Sequence, residues 1–211
     1  MARRFDLLVF DWDGTLSDST GCIARALQAA CRELGWPEPS DAKARFVIGL
    51  ELSRALRHIV PDLSDEELLS FAACYRRHYL AADQDIFLFA GIEALLETLY
   101  ASGCQLAVAT GKTRRGLSHA MAHSGLTAYF AASRCADECF SKPHPQMLEQ
   151  LMDELAVPRH RTLMIGDTTH DLQMALDADV AGLAVSYGAH SREALTRLEP
   201  LACVDSVPQL A

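Results

Sequence analysis

Apolar residues follow two different rhythms along this chain, and the change of rhythm divides it into segments. Leu7-Leu8-Val9-Phe10 is a short unbroken apolar run, as expected of a strand buried on both faces. Ile23, Ala26, Leu27, Ala30 and Leu34 then recur at helical spacing behind the capping residues Ser17-Asp18-Ser19. Gly35-Trp36-Pro37-Glu38-Pro39-Ser40 ends that helix. Further helical patterns cover 41–48, 51–59 and 65–82, with Pro61-Asp62-Leu63-Ser64 as a break and Ser64-Asp65-Glu66-Glu67 as a helix start. No strand pattern interrupts them, so roughly seventy residues read as a small helical bundle inserted after the first strand.

From Phe87 the pattern alternates. Helices are predicted over Gly91 to Ser102, Arg114 to His123, Pro145 to Leu155 and His170 to Ala178. Strands are predicted over Gln105 to Thr110, Tyr129 to Ser133, Thr162 to Ile165 and Gly182 to Val185. Ala202-Cys203-Val204-Asp205 adds an edge strand before a short C-terminal helix. Strand and helix in this order make an α/β fold with a mostly parallel sheet and helices on both faces. The expected division is a core of residues 1–16 and 87–211 with a helical insert of 17–86.

Composition narrows the classes. Of 211 residues, 50% are apolar and 22% charged, which is globular composition. A net charge of −9 argues against a general nucleic-acid binder, and an anionic substrate would need a local positive pocket. No apolar run approaches membrane-spanning length, and Met1-Ala2-Arg3-Arg4 leads directly into the first strand. The expectation is a cytoplasmic protein without a signal peptide or membrane partner. Seven scattered cysteines without a CxxC pair read as reduced thiols. Cys135 and Cys139 lack the second pair that a tetrahedral metal site needs.

The candidate chemistry lies at strand ends. Val9-Phe10-Asp11-Trp12-Asp13-Gly14-Thr15-Leu16 places two acids where the first strand turns, and a bend at Gly14 can bring both to one site if a cation relieves their repulsion. An ordinary acidic turn explains the same residues. The strand ending at Ala109 runs into Thr110-Gly111-Lys112-Thr113, which lacks the first glycine of a nucleotide P-loop, since position 106 is Leu. What remains there is an anion cradle or a helix cap at Thr110. Lys142, before Pro143, either neutralises a phosphoryl group or is a solvated lysine. Gly166-Asp167-Thr168-Thr169-His170-Asp171 offers two more acids, for which the alternative is an N-cap and a first-turn acid. In a parallel sheet these groups share one edge with Asp11 and Asp13. His144 and His170 lie outside the first rank of candidates, and Trp12 and the methionines 147, 152, 164 and 174 read as packing.

Taken together, Asp11-Trp12-Asp13-Gly14-Thr15, Thr110, Lys142-Pro143 and Gly166-Asp167 through Asp171 resemble the four ordered motifs of the haloacid-dehalogenase-like hydrolases. The insert resembles that family's C1 cap, the core its Rossmann-like domain, and the whole looks most like its phosphoglycolate-phosphatase-like members, although Gly111 stands where those often carry Asn. The resemblance implies a phosphomonoester hydrolase of small phosphorylated metabolites. Asp11 would be the nucleophile that forms an aspartyl-phosphate, and Asp13 the group that moves protons. Mg²⁺ would be held by Asp11, the backbone carbonyl of Asp13 and Asp167, while Thr110, Gly111 and Lys142 would bind phosphoryl oxygens. Asp171 would orient metal-bound water or Lys142. An acid at position 13 favours phosphate esters over the dehalogenases and phosphonate hydrolases, but a phosphosugar mutase keeps it too. A non-catalytic module on the same scaffold is the remaining alternative. Specificity would come from polar cap residues among Arg45, Glu51, Arg54, Arg57, His58, Arg76, Arg77 and His78, in a monomer or weak dimer.

Overall fold

The structure is a computed structural model and describes residues 4–82 and 87–210. Residues 1–3 and 211 of the expected core and 83–86 of the expected insert lie outside the described residues. β1 (Leu7–Phe10), β2 (Gln105–Thr110), β3 (Ala132–Cys135), β4 (Thr162–Gly166), β5 (Ala181–Val185) and β6 (Cys203–Val204) form one sheet in the order β3-β2-β1-β4-β5-β6. Every pairing is parallel.

The apolar run of β1 explains its central place. Leu8 and Phe10 face one side, where they pack with Ile92 and Leu96 of α5 (Ile92–Ala101) and Leu117 of α6 (Arg114–Ser124). Leu7 and Val9 face the other, against Met147 and Leu151 of α7 (Gln146–Leu155) and Met174 of α8 (Thr169–Asp177). A strand apolar on only one face would be confined to an edge or an open face of the sheet. The chain builds β2 and β3 on one side of β1 and then crosses to β4 on the other. That reversal makes the C-terminal end of β1 a switch point, where side chains following β1, β2 and β4 meet.

Between β1 and α5 lie α1 (Thr20–Glu33), α2 (Asp41–Phe46), α3 (Leu52–Ile59) and α4 (Asp65–Ala82). Their apolar stripes bury Leu27, Ala30, Leu56 and Phe71 in a cluster of their own. Each large side chain buried there contributes about 1.5–3 kcal/mol. No helix among the described residues is long and apolar enough to cross a membrane.

Three expectations change in detail, and one short helix is new. α2 stops at Phe46 and not at 48, because Gly49 sits at φ +89°, outside the helical region. β3 begins at Ala132, the residues Leu126–Tyr129 forming a tight 3₁₀ turn behind Gly125, which ends α6 in the left-handed region. The expected C-terminal helix is a 3₁₀ turn over Val207–Leu210. α9 (Arg192–Thr196), capped by Ser191, had too few residues to show a periodicity.

The insert rests directly on the core at Gly111. A β-carbon there would lie 2.6 Å from the carbonyl oxygen of Gly49 and 2.7 Å from that of Leu50. Both obstacles are backbone, so Gly111→Ala is expected to cost about 1–3 kcal/mol as an overpacked contact, measured by denaturant unfolding.

Candidate active site

Asp11 continues β1 by donating its backbone N–H to the Ile165 carbonyl at 2.9 Å, which fixes its side chain at the switch point. It is fully buried. Its Oδ1 lies 2.8 Å from Lys142 Nζ, and among the described residues no hydrogen-bond donor reaches Oδ2. Lys142 Nζ also donates to Asp171 Oδ1 at 2.6 Å. The other oxygen of Asp171 accepts from the backbone N–H of Thr168 at 3.0 Å and from its hydroxyl at 2.7 Å. Asp167 accepts from Thr15 Oγ1 at 2.8 Å and from the backbone N–H of Ala189 at 2.7 Å.

Asp11, Asp167 and Asp171 thus bring carboxylate oxygens within 4.8 Å of one another, with Lys142 among them. Burial raises the Asp11 pKa well above the usual carboxylate range; Lys142 opposes the rise, and Asp171 and Asp167 add to it. Burial and then Asp171 push Asp167 up to about 7. Burial alone would lower Lys142, but Asp11 and Asp171 outweigh it and hold the ammonium charged. Three acids facing one lysine form a site short of positive charge.

These acids fit a divalent cation. Among the described residues Asp11 Oδ2 is a buried acceptor with no donor, and each oxygen of Asp167 takes a single donor, whereas one oxygen of Asp171 already takes two and the other takes Lys142, so Asp11 and Asp167 have acceptor capacity to spare and Asp171 braces Lys142. The chain also crowds Asp167 with glycines. A β-carbon at Gly14, where φ is +84°, would lie 2.1 Å from Asp167 Oδ2, and one at Gly188 would lie 2.2 Å from it. Only hydrogen fits at either place.

Asp13 faces elsewhere. Its Oδ1 accepts from Ser19 Oγ at 2.6 Å and pairs with Lys112 Nζ at 3.0 Å. Lys112 in turn donates to the hydroxyl of Tyr79 on α4 at 3.1 Å. The two acids of the first motif therefore take different lysines, and the second lysine contacts the insert.

Other sequence candidates fall into place around this frame. Thr110 is buried at the end of β2 and its hydroxyl accepts from the Lys112 N–H at 3.2 Å. It is no helix cap, since Thr113 caps α6. Likewise the cap of α8 is Thr168, not Asp167, with Asp171 closing a capping box. His144 is exposed, and its Nδ1 accepts from the N–H of Gln146. Of the polar residues on the insert, Arg45 bonds Asp41 and Thr20, Arg57 bonds Asp65, and Arg77 and His78 bond Glu33. Arg76 is exposed. Glu51 caps α3, and its backbone N–H donates to Ser141 Oγ at 2.8 Å. Arg54 donates to the Lys142 carbonyl at 3.2 Å, and His58 packs on Phe46.

Sequence reasoning passed over Lys112, the loop Tyr187-Gly188-Ala189-His190 and the supporting hydroxyls of Thr15 and Ser19. Lys112 had a signal, two residues past the end of β2 on the same sheet edge. The loop had a weaker one, as the polar segment following β5.

The model of the haloacid dehalogenase-like hydrolase family matches residues 8–185, from β1 to β5, and the chain belongs to that family. A protein of Dickeya dadantii described as "Probable phosphatase IndB" is 34% identical over 97% of this chain and 91% of its own length. A phosphoglycolate phosphatase of Aliivibrio fischeri is 32% identical over 95% of this chain and 92% of its own. A hydrolase from Pseudomonas syringae has the same fold, with a TM-score of 0.87 at 21% identity over 95% of this chain and 94% of its own.

Proposed function

We propose that this chain is a metal-dependent phosphatase of small phosphorylated metabolites, working through a phosphorylated Asp11 and using Mg²⁺. The observation that carries the reading is Asp11 itself: fully buried, with one oxygen on Lys142 and the other without a donor among the described residues. An acid left in that state costs stability, which a protein retains where the strain serves chemistry. The names of the relatives support phosphate release as that chemistry.

In this reading the core is 1–16 and 87–211, and the helical cap is 17–86. Asp11, Asp167 and the backbone carbonyl of Asp13 would hold the cation. When bound, it supplies the positive charge that keeps Asp11 ionised and offsets the charge of the phosphoryl oxygens. A carboxylate oxygen of Asp11 attacks phosphorus, the bond to the leaving oxygen breaks, and Asp13 gives that oxygen its proton. Water then attacks phosphorus, its proton passes to Asp13, and the bond to Asp11 breaks to release orthophosphate. Lys142 and Thr110, with the backbone at Gly111, bind the phosphoryl oxygens through both steps. Asp171 holds the Lys142 ammonium in place.

Orthophosphate release from p-nitrophenyl phosphate and from a panel of phosphometabolites, with Mg²⁺ and with EDTA, tests the proposal. No metal-dependent release from any phosphoester would overturn it. Lys112 enters as the residue that orients Asp13. Lys112→Met is expected to lower kcat by about 10–100-fold, part of the contribution of a well-placed proton-transfer group. Steady-state kinetics checks it, with Lys112→Arg recovering part of the loss.

A further inference from the structure

We propose that His190, with His170, forms a latch that holds the insert closed over Asp11, making the pair positioning residues for the reaction inferred above, on which this inference rests. The end of α2 presents a single carbonyl, that of Phe46, to both imidazoles: His170 Nε2 lies 2.7 Å from it and His190 Nε2 3.1 Å. A carbonyl oxygen has two lone pairs and accepts from both.

The partner of the other ring nitrogen decides the tautomer of His190. Its Nδ1 accepts from the backbone N–H of Thr169 at 3.0 Å, so the ring proton sits on Nε2 and points at Phe46. The Phe46 ring completes the contact. It stacks on His190 with centroids 5.4 Å apart and planes 5° from parallel, and meets His170 edge-on at 5.3 Å. The two histidines come from the first turn of α8 and the loop after β5, the two segments that frame Asp167. The latch therefore ties the insert to the part of the core that holds the acids.

What the latch holds down is the lid itself. Three residues beyond Phe46, Gly49 is close enough that a β-carbon on it would lie 3.9 Å from Asp11 Oδ2. Asp11 has no exposure in this closed arrangement, so a phosphoester reaches it only when the segment 46–50 lifts, and chemistry away from bulk water requires the segment to return. Weakening the latch should favour the open form. In kinetics that lowers kcat without raising KM.

The test compares wild type with His190→Ala, His190→Gln and His190→Asn in the full-length protein. Glutamine can carry its amide nitrogen to the place of Nε2 and keep the bond to Phe46. Asparagine can place an oxygen near Nδ1 and keep the bond from Thr169, but does not reach Phe46. Amide hydrogen exchange over 46–50 is the first readout and does not depend on turnover. Protection there should fall about tenfold in the alanine and asparagine variants and stay within about threefold of wild type in the glutamine variant. Where the protein releases phosphate, kcat should fall in the same order with KM unchanged or lower. Loss of protection in the glutamine variant, or its retention in the asparagine variant, overturns the latch. An absence of phosphatase activity in wild type overturns the proposed function instead, and leaves the exchange result to judge the latch.

Discussion

Asp11→Asn is expected to reduce metal-dependent phosphate release by a factor on the order of 10⁴ or more, while the protein stays folded. The amide keeps the shape of the side chain but is no nucleophile toward phosphorus. The structure also fixes the sign of the stability change. Asp11 is buried beside Asp167 and Asp171, its pKa is raised chiefly by burial, and no donor among the described residues reaches Oδ2. Asparagine removes the buried charge, gives the neighbouring carboxylates an N–H, and leaves Lys142 paired with Asp171 at 2.6 Å. The metal-free variant should therefore melt at or above the wild-type temperature in calorimetry. Lost activity with a retained or raised melting temperature separates a chemical role from a structural one. Undiminished phosphatase activity in Asp11→Asn would sink the assignment.

That opposition between function and stability shows why the sequence disclosed so much of this molecule and yet missed particular parts. The apolar run Leu7 to Phe10 is legible because burial on both faces leaves no polar position, and the strand-end acids are legible because parallel topology forces strand ends to converge. Lys112 was harder. Its importance lies in a 3.0 Å approach to Asp13, ninety-nine residues away in sequence, which no local pattern records. Gly111 likewise reads as a turn residue until the carbonyls of Gly49 and Leu50 are found against it. His190 has no periodic neighbours at all, and only the fold brings it to Phe46. Local pattern reports which elements form. Contacts made through a second element, the insert above all, stay hidden until that element is docked.

Adding Mg²⁺ to metal-free protein is expected to bring activity up from background and to raise the melting temperature by an amount that grows with pH. At a metal concentration of about 100 times Kd the stabilisation is about 2.7 kcal/mol, or roughly 5–10 °C for a chain of this size. The pH dependence follows from the acids. Burial and then Asp171 hold Asp167 at about 7 in the folded protein against an ordinary value of 3.8, and burial raises Asp11 too. The folded, metal-free state therefore holds protons that the unfolded chain has already lost between about pH 4 and pH 7. Over that window the metal-free protein loses stability as pH rises, by up to about 1.4 kcal/mol per pH unit for each such carboxyl. Below it, protons compete with the cation and little is gained by adding metal. Above it, the acids need the cation and the gain is full. Thermal melts with Mg²⁺ and with EDTA at several pH values between 4 and 8 check this. A gain that does not change with pH, or that persists in Asp167→Asn, would place the cation somewhere other than among these acids.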